Sequence, residues 1–266
     1  MPYFRTQDDC SLYYETYGFD SSGPVVVFLN GTMLTTVYWK PLANALEDRF
    51  RVLLYDARAQ GKSDLGEHGL SLEGHVEDFD RLLDHVGVEK AHLVGLSHGA
   101  QVALAYAAHS PGRVDRLVLC SIGAAPSSRA RLIVRSWLEI LESSGLEAMV
   151  WVALPIAFGE SFLQQKERGL DAVVKGIVTR HRREALAAQL EAMMAYPAVS
   201  QIARGIRAPC LVISGSDDPI VTEEGARQLA VLCNGSHEHI AGVGHSIPAE
   251  TPELFSKTVM RFLNTT

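Results

Sequence analysis

The chain has no apolar run near the roughly 18 residues that a membrane span requires. Its first residues, Met-Pro-Tyr-Phe-Arg-Thr-Gln-Asp-Asp, carry neither the basic start nor the apolar stretch of a signal peptide. Both absences point to a cytoplasmic protein that does not use a membrane. Cysteine is scarce: Cys10, Cys120, Cys210 and Cys233 stand far apart with no CxxC pair, so a disulfide framework is excluded and reduced thiols are expected. Positive charge is also in deficit. Lys and Arg total 24 against 31 Asp and Glu, a net charge of -7, which suits solubility and mismatches a polyanion, so no nucleic-acid partner is expected. The densest basic stretch, Arg180 to Arg183, reads as a solvated helix face. There is no GxGxxG or P-loop to cradle phosphates and no metal-ligand spacing, so neither a cofactor nor a metal is expected.

What the chain does have is apolar material: 266 residues, 47% hydrophobic, enough for one globular domain or a domain with an insertion. A chain of this size buries roughly 75% of its unfolded surface, so it needs no disulfide or structural metal for stability. Short apolar runs recur at Pro24 to Leu29, which is rich in β-branched residues, and at Val52 to Tyr55, His92 to Leu96, Leu117 to Ser121 and Cys210 to Ser214, with a weaker one at Ser236 to Ile240. Each is too short for a helix and suits a strand buried on both faces. Between them, Leu72 to Val86 repeats Leu72, Val76, Phe79, Leu82, Leu83 and Val86 at helical spacing. Alternating buried strands and helices predict an α/β fold with a mostly parallel sheet covered on both faces. Ser11 to Tyr17, which alternates polar and aromatic residues, reads as an antiparallel edge. From residue 125 to 196 the strands stop and helical patterns take over. The expected organisation is therefore a core of residues 1–124 and 197–266 with an inserted helical cap at 125–196. Pro252 starts the final helix.

The chemistry is carried by Gly95-Leu96-Ser97-His98-Gly99, directly after one strand run and before an Ala-rich helix. This is the G-x-S-x-G nucleophile elbow, in which a sharp strand-to-helix turn holds the serine in a strained, exposed position. A serine hydroxyl needs a base, and the base needs a carboxylate to orient it. In the order serine, acid, histidine, Gly215-Ser216-Asp217-Asp218-Pro219 offers Asp218 with Asp217 beside it, and Gly242-Val243-Gly244-His245-Ser246 offers His245. His237 and His239 share a strand face, but no third ligand lies near, and they read as strand histidines without a role. The oxyanion needs two N–H donors, expected from His98, after the nucleophile, and from Thr32 in Leu29-Asn30-Gly31-Thr32-Met33. Met33, with Trp137, Met149, Trp151, Phe158 and Met194 of the cap, are the candidates for the substrate pocket lining.

On these motifs the chain resembles the α/β-hydrolase superfamily, and most closely its small capped esterases and 3-oxoadipate enol-lactonase-like hydrolases. The resemblance extends to Asp56-Ala57-Arg58-Ala59-Gln60-Gly61-Lys62-Ser63-Asp64, similar to D-x-R-G-x-G-x-S-D, and to the G-x-G-H and E-x-P-E segments between Gly242 and Glu253. The family's G-x-x-D pattern selects Asp218, three residues past Gly215, over Asp217. The chain departs from the family at Asn30, where many members have His, and at Ala59-Gln60, where Gly-His is usual. The resemblance implies a serine hydrolase (carboxylesterase or lactonase type) acting on small-molecule esters or lactones of small to medium apolar acids, with a catalytic triad and an oxyanion hole. Carbon-carbon bond hydrolysis and thioester cleavage on the same fold, or a ligand receptor without turnover, are the alternatives.

Overall fold

The structure, a computed structural model, describes residues 2–67 and 70–264. Eight strands form one sheet: β1 (Tyr3–Arg5), β2 (Ser11–Tyr17), β3 (Val25–Leu29), β4 (Arg51–Tyr55), β5 (Ala91–Leu96), β6 (Val114–Cys120), β7 (Cys210–Gly215) and β8 (Ser236–Ile240). Their order across the sheet is β1-β2-β4-β3-β5-β6-β7-β8. The pairs from β4 to β8 are parallel, and β1 and β2 add antiparallel. β2 is thus one strand in from the edge, which β1 occupies. β1 is only three residues long, too short for a sequence pattern to show. At the other edge β8 reads Ser-His-Glu-His-Ile, polar because one side has no neighbouring strand.

Every residue of β3, β5 and β7 is buried, as strands covered on both faces require. One face packs under α2 (Leu72–His85), α3 (His98–His109) and α10 (Glu223–Leu232), where Phe79, Leu82, Tyr106 and Leu229 fill the core. The other lies under α1 (Thr36–Leu46) and α12 (Pro252–Leu263), where the rings of Phe28, Trp39 and Phe255 pack at a tilt. The α2 start is capped by Ser71, whose Oγ accepts from the Gly74 N–H at 2.9 Å.

Between β6 and β7 the chain inserts helices: α4 (Ser128–Ser144), α5 (Leu146–Ala157), α6 (Glu160–Lys166), α7 (Leu170–Val178), α8 (Arg183–Ala195) and the short α9 (Val199–Ala203). They bury two small clusters of their own, one around Trp137, Leu141, Met149 and Leu190, the other around Val150, Leu154 and Val174. This is the α/β-hydrolase fold, a mostly parallel eight-stranded sheet with a helical insertion. The basic run from Arg180 to Arg183 is not one helix face. It forms the turn from α7 into α8, and its guanidiniums bond backbone carbonyls: Arg182 to Ser63 at 2.6 Å and Arg183 to Glu142 at 2.6 Å. A short helical turn, α11 (Ile247–Glu250), precedes α12.

Candidate active site

Ser97 sits between β5 and α3 with φ 54° and ψ -114°, a conformation that L-residues seldom adopt. The glycines on either side permit it. A Cβ on Gly95 would come within 2.5 Å of the Gly99 carbonyl oxygen, and one on Gly99 within 2.2 Å of the Leu29 carbonyl oxygen. The elbow is therefore held by backbone pressed on backbone, which no side chain at these two positions would allow.

Asp218 follows β7. Its Oδ2 accepts from His245 Nδ1 at 2.7 Å, and its Oδ1 accepts from the N–H groups of Ile220 and Val221 at 2.8 and 3.0 Å. The carboxylate is thus pinned by its own turn and both oxygens are used. Asp217 is exposed, and its Oδ1 accepts from the Ser216 hydroxyl at 2.8 Å. The His245 carbonyl accepts from Ser121 Oγ at 2.7 Å, so the loop is also tied to the end of β6. Ser97 and His245 line the same cavity.

The loop after β3 is organised by the residues at which this chain departs from the pattern it resembles. Asn30 is buried, donates from Nδ2 to the Tyr55 carbonyl at 2.9 Å and to Asp56 Oδ1 at 3.2 Å, and accepts from Trp39 Nε1 at 3.0 Å. Gln60 Nε2 donates to the Gly31 carbonyl at 3.1 Å. Asn30 and Gln60 thereby fix the peptides leading to Thr32. Asp56 accepts from the Thr36 and Lys62 N–H groups, and burial still pushes its carboxyl up to about 6. Arg58, in the same turn, forks onto Asp78 and Asp8, with four contacts of 2.6 to 2.9 Å. Ala59 takes a left-handed φ of 69°, where the family has glycine.

Thr32 and His98 both border the cavity. The His98 N–H is at the first position of α3, where a helix leaves its N–H groups without an intrahelical acceptor. Its imidazole is buried beside that of His75, ring centroids 5.0 Å apart, and its Nε2 lies 3.3 Å from the Tyr196 hydroxyl. Burial lowers His98 to about 4 and His75 well below the ordinary histidine range, so both rings are neutral near pH 7. His237 and His239 both meet Ser214 Oγ, at 2.8 and 2.9 Å, and their hydrogen bonds serve the sheet edge.

The cavity has a volume of about 410 Å³. Met33, Trp137, Phe158 and Met194 line it, but Met149 and Trp151 do not. Met149 is fully buried in the cap's own core between α4, α5 and α8, because the inward stripe of α5 points at its partner helices. Trp151, two residues on, is 38% exposed and borders a separate outer depression with Leu154 and Leu170. A helix of 3.6 residues per turn cannot aim both of them at the sheet. Tyr196, Gln101 and Ser121 also line the cavity, and no motif in the sequence marks them. Trp137 Nε1 and Gln101 Oε1 have no hydrogen-bond partner among the described residues.

Comparisons with known proteins agree with the fold. A family model described as "alpha/beta hydrolase fold" matches residues 24–145. RutD of Caulobacter sp. (strain K31), whose name proposes carbamate hydrolysis, is 29% identical over 259 residues, 95% of this chain and 96% of that protein. The enol-lactonase from Burkholderia xenovorans LB400 superposes with a TM-score of 0.91 at 27% identity, covering 99% of this chain and 100% of the other. A thermophilic esterase from Thermogutta terrifontis superposes with a TM-score of 0.86 at 26% identity, over 99% and 96% of the two chains. The chain has the α/β-hydrolase fold and is a hydrolase of that fold, similar to the enol-lactonases, esterases and RutD-like hydrolases of that superfamily. Among the described residues, no helix is long and apolar enough to cross a membrane.

Proposed function

We propose that the chain is a serine hydrolase that cleaves carboxylic esters or lactones of small to medium apolar acids through an acyl-enzyme. The observation that carries this reading is the strained Ser97 on the wall of an apolar cavity that His245, bonded to Asp218 at 2.7 Å, also lines. In the proposed cycle Ser97 Oγ attacks the carbonyl carbon while His245 Nε2 takes its proton, and the Thr32 and His98 N–H groups hold the oxyanion. Collapse expels the alcohol oxygen, which receives the proton from His245. Water activated by His245 then attacks the acyl carbon and releases the acid and Ser97. Asp218 keeps Nδ1 protonated, so that Nε2 is free to act as base.

The cavity's composition supports the substrate class. Its walls are mainly Met, Leu, Ile, Val, Ala, Trp and Phe, and among the described residues no Asp or Glu lines it, while Arg131 does. Such a lining favours an apolar, neutral or anionic molecule over a cation. About 410 Å³ suits a small to medium acyl ester or lactone, and free carbamate would leave much of that apolar space unfilled. The insertion of residues 125–196 acts in this reading as the lid that keeps water out.

The test is turnover of a panel of aryl esters and lactones, with labelling by a fluorophosphonate. The expected result is labelling of Ser97, faster cleavage of short and medium than of long acyl chains, and a loss of about 10⁴-fold or more in kcat for Ser97→Ala with an unchanged Tm. Labelled protein inert to every ester and lactone would move the assignment to thioester or carbon-carbon bond cleavage. Protein that takes no label would be a receptor.

A further inference from the structure

The backbone before His245 and the backbone at the end of a cap helix meet at one carboxylate. Gly244 packs so tightly against the cap that a Cβ on it would lie 2.5 Å from the Gly159 nitrogen and 2.7 Å from the Phe158 carbonyl carbon. A Cβ on Gly159 would lie 3.1 Å from the Gly244 nitrogen. With both side chains absent, Glu250 at the end of α11 reaches both peptides. Its Oε2 accepts from the Gly159 N–H at 2.9 Å, and the Gly244 N–H is shared between Oε1 at 3.0 Å and Oε2 at 3.1 Å. The Ser246 N–H donates to the Ala157 carbonyl at 2.9 Å, a second tie to the cap. With Ser121 Oγ on its carbonyl, the His245 residue is held by the sheet, by α11 and by the cap at once.

We propose that Glu250 is a positioning residue, whose carboxylate sets His245 relative to Ser97 by locking the His245 loop to the cap end that carries Phe158. This rests on the hydrolase reading above. Two N–H groups converge on the side chain, and a carboxylate is the one group of this length that presents acceptors only. Glutamine must turn its NH₂ toward one of the two donors, and a charge-assisted bond is lost with it. Glu250 does not line the cavity, so its action passes through His245. The cap and the proton-transfer base are consequently one unit: where the end of α5 sits, the imidazole follows.

The experiment compares Glu250→Gln and Glu250→Asp with Glu253→Gln, an exposed carboxylate three residues on that serves as the charge control. It measures kcat and KM on a short aryl ester, the Tm, and the downfield proton NMR signal of His245 Nδ1–H. Both Glu250 variants are expected to lose about ten- to a hundredfold in kcat, the scale of an ångström-sized misplacement, with KM changed far less. Their His245 signal should shift or broaden, while Glu253→Gln matches the wild type. Variants that melt earlier yet keep the wild-type kcat and His245 signal would overturn the proposal and leave Glu250 a purely structural brace. The Asp variant keeps the charge but is one methylene too short to span both N–H groups, so it carries the test if the Gln variant does not fold. If the wild type neither turns over esters nor takes a fluorophosphonate label, the hydrolase reading fails, and the NMR comparison alone decides the role of Glu250.

Discussion

Below the cavity, the loops after β3 and β4 are tied by buried polar side chains: Asn30 to Tyr55, Asp56 and Trp39, Gln60 to Gly31, and Arg58 to Asp8 and Asp78. Above it, the cap helices hold together mainly through two small apolar clusters. They also leave Leu132, Trp151, Val152, Val173 and Met194 exposed, more than the rest of the described chain does in a longer sequence. Hydrogen bonds are directional and fix a peptide to within a fraction of an ångström, while apolar packing tolerates sliding and substitution. The region that needs geometry uses the first, and the region that needs only to enclose and exclude uses the second. Glu250 joins the two regions where His245 requires it.

The contrast is broken most directly at the acid. Asp218→Asn should lower kcat by about 10⁴-fold, since it supports the wrong His245 tautomer and leaves the imidazolium without a counter-charge, while Asp217→Asn should change kcat little. Steady-state kinetics on the two purified variants decides it, and the reverse ranking would sink the assignment. Arg58→Leu tests the scaffold. It strands the buried Asp78 carboxylate and should cost about 3–5 kcal/mol in urea unfolding, with activity lost only as the loops loosen. A change below about 0.5 kcal/mol, the level of an ordinary surface substitution, would show that the turn is held by other contacts.

The buried imidazoles sharpen the same point through pH. His98 is lowered by burial to about 4, below its unfolded value of 6.5, and His75 is lowered in the same direction. The unfolded chain therefore binds these protons first, so the stability they contribute is complete above about pH 6.5 and is lost as pH falls toward 4. A shift of this size corresponds to about 3 kcal/mol for His98. Melting temperature measured from pH 7 to pH 4 should fall, and fall less steeply in His75→Leu. An equal slope in both proteins would remove His75 as a cause and leave the loss to His98.

The smallest effect, at Trp151, belongs to the cap. Met149→Ala should cost about 2–5 kcal/mol by opening a cavity among α4, α5 and α8, whereas Trp151→Ala should stay within about 0.5 kcal/mol. Neither should alter the preference for acyl length, which Phe158→Ala should broaden toward longer chains. Thermal melts and the ester panel read both. A changed acyl preference in Trp151→Ala would mean that the outer depression takes part in substrate entry.

By itself the sequence determined the parts in which local chemistry leaves one option. Five of its six strand runs became strands buried on both faces, because an apolar run too short for a helix, set between amphipathic helices, is best buried as a central strand. The G-x-S-x-G turn is equally local, since the steric demands of Ser97 are met by its immediate neighbours. What only the tertiary structure decided are the choices made across the chain. Asn30 and Gln60 depart from the family pattern and yet brace the Thr32 loop through bonds that span 25 and 29 positions of chain. Met149 and Trp151 share one helix and face different surroundings, which depends on where α4 and α8 lie. Glu250 meets Gly159 across 91 positions of chain. Periodicity registers what a residue is and how it repeats, but the partner of a buried carboxylate or of an indole ring is set by packing between elements, and no local pattern encodes it.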